Sequence, residues 1–174
     1  MAQPIRILSA ATDSPFTALA AYVGKAQEEG CTVLVVTSDR PQRQLAEVLG
    51  AAGVDLQRVH FLDVVTCMDG RPPVPAPLNT MFLPSPTMLE MMAMRIEQIA
   101  GRLPSPLVLV DSLSTLAFYN GPAAVQEFSH YLANRLRTRG IAADFLIRRT
   151  REGQALQDRV ATFADGVVTL GGPA

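Results

Sequence analysis

The sequence predicts an α/β fold with a mostly parallel central sheet, and three observations carry that expectation. Short runs rich in β-branched and other apolar residues recur at 5–8, 32–37, 59–65, 107–110, 142–147 and 167–170. Most are apolar throughout rather than alternating, which marks strands buried on both faces. Between them lie stretches with apolar residues at helical spacing, and strands that alternate with helices imply parallel pairing with helices packed on both faces. A chain of 174 residues that is 48% hydrophobic suits one domain, expected to span 1–174.

The elements follow in order. Pro15 suits the first turn of a helix and Ser14 or Asp13 its N-cap, so a helix is expected from Pro15 to about Glu29, stopped by Gly30. Phe16, Leu19, Ala20 and Val23 would face the sheet. TVLVVT at 32–37 reads as a second strand, turning at Ser38-Asp39-Arg40-Pro41. Leu45, Val48 and Leu49 mark a helix ending near Gly50 or Gly53, and 59–65 makes a third strand in which His60 is read as an edge or otherwise satisfied residue.

Residues 66–79 hold four prolines and a glycine, so a Pro-rich surface loop is expected at about 66–84. Ser85-Pro86 would cap a helix reaching about Arg102, with Met88, Leu89, Met92, Ile96 and Ile99 as a packing stripe. Gly121-Pro122 opens a helix through Val125, Phe128, Leu132 and Leu136 that ends at Gly140, with His130 exposed on it. A strand at 142–147, a short helix through Leu156, Val160 and Phe163, a turn at Asp165 and a strand at 167–170 complete the chain.

Composition narrows the function. A formal charge of −1 and a pI near 6.1 supply no global field for nucleic acid or an anionic membrane. Cys31 and Cys67 lie in no metal-ligand spacing and read as reduced thiols. No apolar run approaches the ~18–20 residues of a membrane span, and the first 15 residues lack a signal-peptide pattern, so a soluble, cytoplasmic protein is expected. Arg135, Arg137, Arg139, Arg148, Arg149 and Arg151 concentrate positive charge, but on a helix only Arg135 and Arg139 share a face. That region reads as a solvated face, with an anion or acidic-partner site as the alternative.

The candidate site is the end of the central run. LVLV at 107–110 stops at Asp111, followed by Ser112 and Ser114. In open α/β sheets such tips face the ligand crevice. Two readings stand: a functional carboxylate, or one that caps the next turn by accepting backbone N–H bonds.

Three stretches together resemble the RecA-like ATPase core, specifically its KaiC-like branch. LVLVDSLSTL at 107–116 resembles the Walker B strand, whose aspartate orients the magnesium of bound ATP. Residues 33–41 are similar to the second strand, which in the family ends in an acidic pair, and FADGVVTL at 163–170 is similar to the terminal strand. The likeness extends to uncharacterised haloarchaeal KaiC-like proteins that keep the Asp-Ser-Leu-Thr-like segment and lack an intact phosphate loop. It implies a three-layer α/β/α RecA-like (P-loop NTPase-like) fold.

The departures bear on activity. A phosphate loop needs glycines, a lysine and a Ser/Thr on the metal, whereas 9–16 here reads SAATDSPF, with neither glycine nor lysine. Asp13 places negative charge where the family binds phosphate. The only lysine, Lys25, lies too far along the helix to substitute. The resemblance aligns the catalytic acidic pair with Ser38 and Asp39, so the position of the water-activating base holds a serine. The family's basic hairpin after the last strand is not expected, as Gly171-Gly172-Pro173-Ala174 follow at once.

The resemblance therefore implies only a vestigial nucleotide site, at Ser9, Thr12, Asp13, Ser14, Ser38, Asp39, Asp111 and Ser112. No catalytic residue, cofactor or metal is expected. Asp111 would hold magnesium only if Mg-ATP bound. The function expected is a non-catalytic RecA/KaiC-like domain, a regulatory, signalling or assembly module working through a protein partner or self-association. The alternative is residual ATP or ADP binding, or weak ATPase activity.

Overall fold

The computed structural model describes residues 3–11, 15–71, 73–77 and 79–171. Seven parallel strands form one sheet: β1 (Ile5–Ala10), β2 (Thr32–Thr37), β3 (Val59–Asp63), β4 (Thr80–Phe82), β5 (Pro106–Asp111), β6 (Ala142–Arg148) and β7 (Gly166–Leu170). Their spatial order is β4-β3-β2-β5-β6-β1-β7, which puts β5 at the centre. Six α-helices join them: α1 (Pro15–Glu28), α2 (Gln42–Ala51), α3 (Leu89–Ala100), α4 (Leu113–Asn120), α5 (Pro122–Thr138) and α6 (Arg151–Val160).

Strand side chains alternate between two cores, as the pleat requires. Val33, Val35, Leu107 and Leu109 pack with Leu19 and Val23 of α1 and Leu45 and Leu49 of α2. Leu34, Val36, Val108 and Val110 face the other way, against Met92 and Ile96 of α3, Leu113 and Leu116 of α4, and α5 and α6. Both faces of the sheet are thus covered, and the continuous apolar runs in the sequence have their cause. The result is the three-layer α/β/α architecture expected.

Two local expectations are corrected, and one helix is added. The Pro-rich stretch at 66–84 contains a strand: β4 pairs with β3 through Phe61↔Thr80 to Asp63↔Phe82. At three half-buried residues on a sheet edge, it is too short to show an apolar run. The helix placed at Ser85-Pro86 starts later, at Leu89, because Ser85 closes a local turn in which its Oγ accepts the N–H of Thr87 at 3.1 Å. The stretch after Asp111 holds a further helix, α4, which the sequence does not announce because LSTLAFYN has no amphipathic stripe: Leu113 and Leu116 are buried, whereas Phe118 is 84% exposed.

Gly153 has a positional reason. A Cβ on it would lie 1.8 Å from the carbonyl oxygen of Arg148, so the start of α6 rests directly on the end of β6.

Candidate functional site at the strand tips

The strands β2 and β5 are neighbours in the sheet, yet the helices that follow them leave to opposite faces: α2 packs in one core and α4 in the other. That divergence opens a crevice at their carboxyl ends, the place where α/β sheets bind ligands. Register brings Thr37 opposite Asp111, and the pairing continues one step further, the Ser38 N–H donating to the Asp111 carbonyl at 2.8 Å.

Ser38 is 2% exposed, and its hydroxyl is committed to β5. Its Oγ accepts the N–H of Ser112 at 3.0 Å and directs its own proton at the carbonyls of Asp111 and Ser112, 3.1 and 3.2 Å away. Ser112 caps α4, its Oγ accepting the Thr115 N–H at 3.2 Å and donating to Asp39 Oδ1 at 3.1 Å. The capping reading of Asp111 is therefore corrected: the serine after it is the side chain that caps the helix. A serine fits an N-cap here because Ser112 has extended backbone dihedrals, which turn its Oγ toward the first helical N–H groups.

Asp39 is 4% exposed at its side chain and ion-pairs with Arg148, from the tip of β6. Arg148 is held from its backbone as well, its N–H donating to Ser114 Oγ at 2.9 Å. Arg40 lies over the ring of Phe16, 3.0 Å from the centroid, a cation–π contact that covers its charge. Burial lowers the Arg40 pKa from its usual range.

Asp111 is 3% exposed, and its Oδ2 has no hydrogen-bond partner among the described residues. Burial, seconded by the like charge of Asp39, pushes its pKa up to about 7, with Arg148 and Arg40 pulling the other way. Near neutral pH a substantial fraction of this carboxyl is protonated.

Of the sequence-derived candidates, Ser38, Asp39, Asp111 and Ser112 come together. Ser9 is buried on β1, two strands from β5, and Thr12, Asp13 and Ser14 lie outside the described residues. Ser114, expected beside Asp111 at the strand tip, is joined there by Arg148 and Arg40, which the sequence does not assign to this site. The adjacent arginines at the end of the 142–147 run were the available signal for Arg148, because a strand tip next to β5 delivers its side chain to the same crevice. Among the described residues, no group of three or more His, Cys, Asp and Glu side chains is placed to hold a metal ion, and no helix is long and apolar enough to cross a membrane.

Three further arginines of this cluster are ion-paired elsewhere. Arg135 and Arg139 both bind the buried Glu97 of α3, at 2.9 and 3.2 Å, and Arg137 pairs with Asp165. Asp165 also accepts the Ile5 N–H at 2.7 Å, so it ties β1 to the turn before β7.

A family model described as a family of unknown function, DUF7504, matches residues 8–170. No curated protein matches the sequence. Among solved structures, the KaiC-like protein PH0186 from the hyperthermophilic archaeon Pyrococcus horikoshii OT3 is similar over 97% of this chain and 71% of its own, with a TM-score of 0.68 and 16% identity. At that identity the likeness is one of fold, and it is the RecA/KaiC-like fold that the sequence motifs implied.

Proposed function

This chain belongs to the DUF7504 family, and we propose that it is a non-catalytic RecA/KaiC-like domain, a regulatory or assembly module that works through protein contacts. The observation that carries the reading is that Ser38 and Asp39 at the strand tip are committed to partners within the chain. Ser38, which the resemblance aligns with the water-activating base of KaiC-like ATPases, is buried with its hydroxyl bound to the β5 backbone, and a serine hydroxyl cannot accept a proton near neutral pH. The Asp39 carboxylate is neutralised by Arg148 of the same chain.

The residues present do not fit a magnesium-nucleotide. A divalent cation needs accessible oxygens, whereas Asp111 is 3% exposed and the Asp39 carboxylate is paired with Arg148. The absence of glycine and lysine from 9–16 points the same way. No step of ATP chemistry is assigned to these residues.

One observation favours a second reading, residual nucleotide or anion binding: the buried Asp111 Oδ2 is without a partner among the described residues. Turnover tests the non-catalytic assignment, and a nucleotide-dependent thermal shift separates it from residual binding. With purified protein and Mg-ATP, the first predicts phosphate release no faster than the Asp111→Ala background. Magnesium-dependent release abolished by that substitution would overturn it.

A further inference from the structure

The face formed by α3 and α5 has a charge order that matches itself. Along α5, Glu127, Tyr131, Arg135 and Arg139 follow at steps of four and therefore lie on one side of the helix. Along α3, Glu90 and Met94 stand in the same relation, with Arg95 next. A groove between the N-terminal halves of the two helices is lined by Met91, Met94 and Tyr131, with Glu90 and Glu127 beside them. The adjoining groove is lined by Arg95, Arg135 and Arg139, with Glu90 and the buried Glu97 among them. Across the pair of helices, acid gathers toward the N-terminal end and a surplus of base toward the C-terminal end, with Met94 and Tyr131 between.

The basic end is only partly neutralised within the chain. The Arg135 and Arg139 guanidinia share one carboxylate, Glu97, which leaves a surplus positive charge, and among the described residues Arg95 bonds to the neutral amide of Gln98 at 2.8 Å. Glu90 in the first turn of α3 and Arg135 in the last turn of α5 each gain from a helix dipole, but α3 has no base in its last turn and α5 no acid in its first, so the dipole accounts for only part of this order. It does not account for Met94 and Tyr131, 50% and 54% exposed between the charged ends.

We propose that this face pairs with a second copy of the same chain, related by a two-fold axis that passes near Met94 and Tyr131. A two-fold contact puts one surface against itself with its direction reversed. The acidic end of one copy then meets the basic end of the other, twice, and the exposed methionine and tyrosine of both copies close over each other at the centre. An apolar centre with a charged rim is the usual anatomy of an interface. The proposal deepens the assembly role given above and supplies its partner, but it does not involve the strand-tip crevice.

The test is sedimentation equilibrium of the full chain with paired charge reversals. The expected result is a dimer at tens of micromolar, with Glu127→Arg and Arg95→Glu each weakening self-association at least tenfold and leaving the thermal midpoint of the monomer within a few degrees. Mixing the two variants restores the dimer, because each reversed charge then faces its opposite. Tyr131→Glu abolishes association, alone or in the mixture. A wild-type chain that is monomeric at 100 micromolar overturns the proposal, as does a dimer indifferent to all three substitutions or a mixture that fails to recover. None of these readings involves nucleotide, so ATP turnover by the protein would refute the non-catalytic assignment and leave the dimer standing.

Discussion

The guanidinium of Arg148 and the carboxylate of Asp39 form an ion pair across the tip of β5. One partner follows β2 and the other ends β6, so the pair bridges the two strands that flank the centre of the sheet. It lies beside Asp111, whose protonation both charges influence in opposite senses. The crevice is closed electrostatically by the chain's own side chains.

Removing the cation alone should be costly. Arg148→Ala leaves a carboxylate that is 4% exposed without its counter-charge, which costs about 3 kcal/mol. Asp39→Asn combined with Arg148→Gln removes both charges and should recover most of that loss. Urea unfolding of the single and double variants measures it, and equal losses in both would show that the pair's charges are not what matters.

The Ser38 hydroxyl is a structural strap between β2 and β5. Ser38→Ala leaves the Ser112 N–H without its acceptor in a buried place and should destabilise by about 1–2 kcal/mol. The same substitution should leave any phosphate release at background, because the hydroxyl is not a base.

Asp111 gives stability a defined pH dependence. Its folded pKa lies above its unfolded one, so the folded chain binds more protons through this group. The contribution is full below about pH 4, declines as pH rises, and is lost above about pH 7. Asp111→Asn removes the titration. The stability of Asp111→Asn relative to wild type should therefore climb between pH 4 and 7, by on the order of a few kcal/mol, and then level off. Urea midpoints at a series of pH values test this, and a constant difference at every pH would sink it.

Gly153→Ala should destabilise through one close approach. The new methyl group would meet the Arg148 carbonyl at 1.8 Å, and backbone on both sides has to move. An overpacking cost of about 1–3 kcal/mol is expected, read as a lower thermal midpoint.

Much of this fold is legible in the sequence because parallel strands buried on both faces announce themselves. TVLVVT at 32–37 gave the bounds of β2, and the residues facing α1 and α3 alternate along it as a pleat demands. The segments that escaped lack such a signal. β4 has three residues and owes its existence to the edge of β3, and α4 has apolar residues on more than one side. Among site residues, Ser38, Asp39, Asp111 and Ser112 could be grouped because each sits at the end of an apolar run. Arg148 could be placed near them, but its partner could not be identified, because sequence order does not reveal that β5 lies between β2 and β6.

Thermal unfolding with and without millimolar Mg-ATP, ADP and GTP tests the central claim most directly. A ligand at a hundred times its Kd stabilises a protein by about 2.7 kcal/mol, which for this length raises the midpoint by roughly 5–10 °C. The account predicts no shift with any of the three nucleotides. A rise of that size, lost in Asp111→Ala, would contradict it and show that the crevice still binds nucleotide.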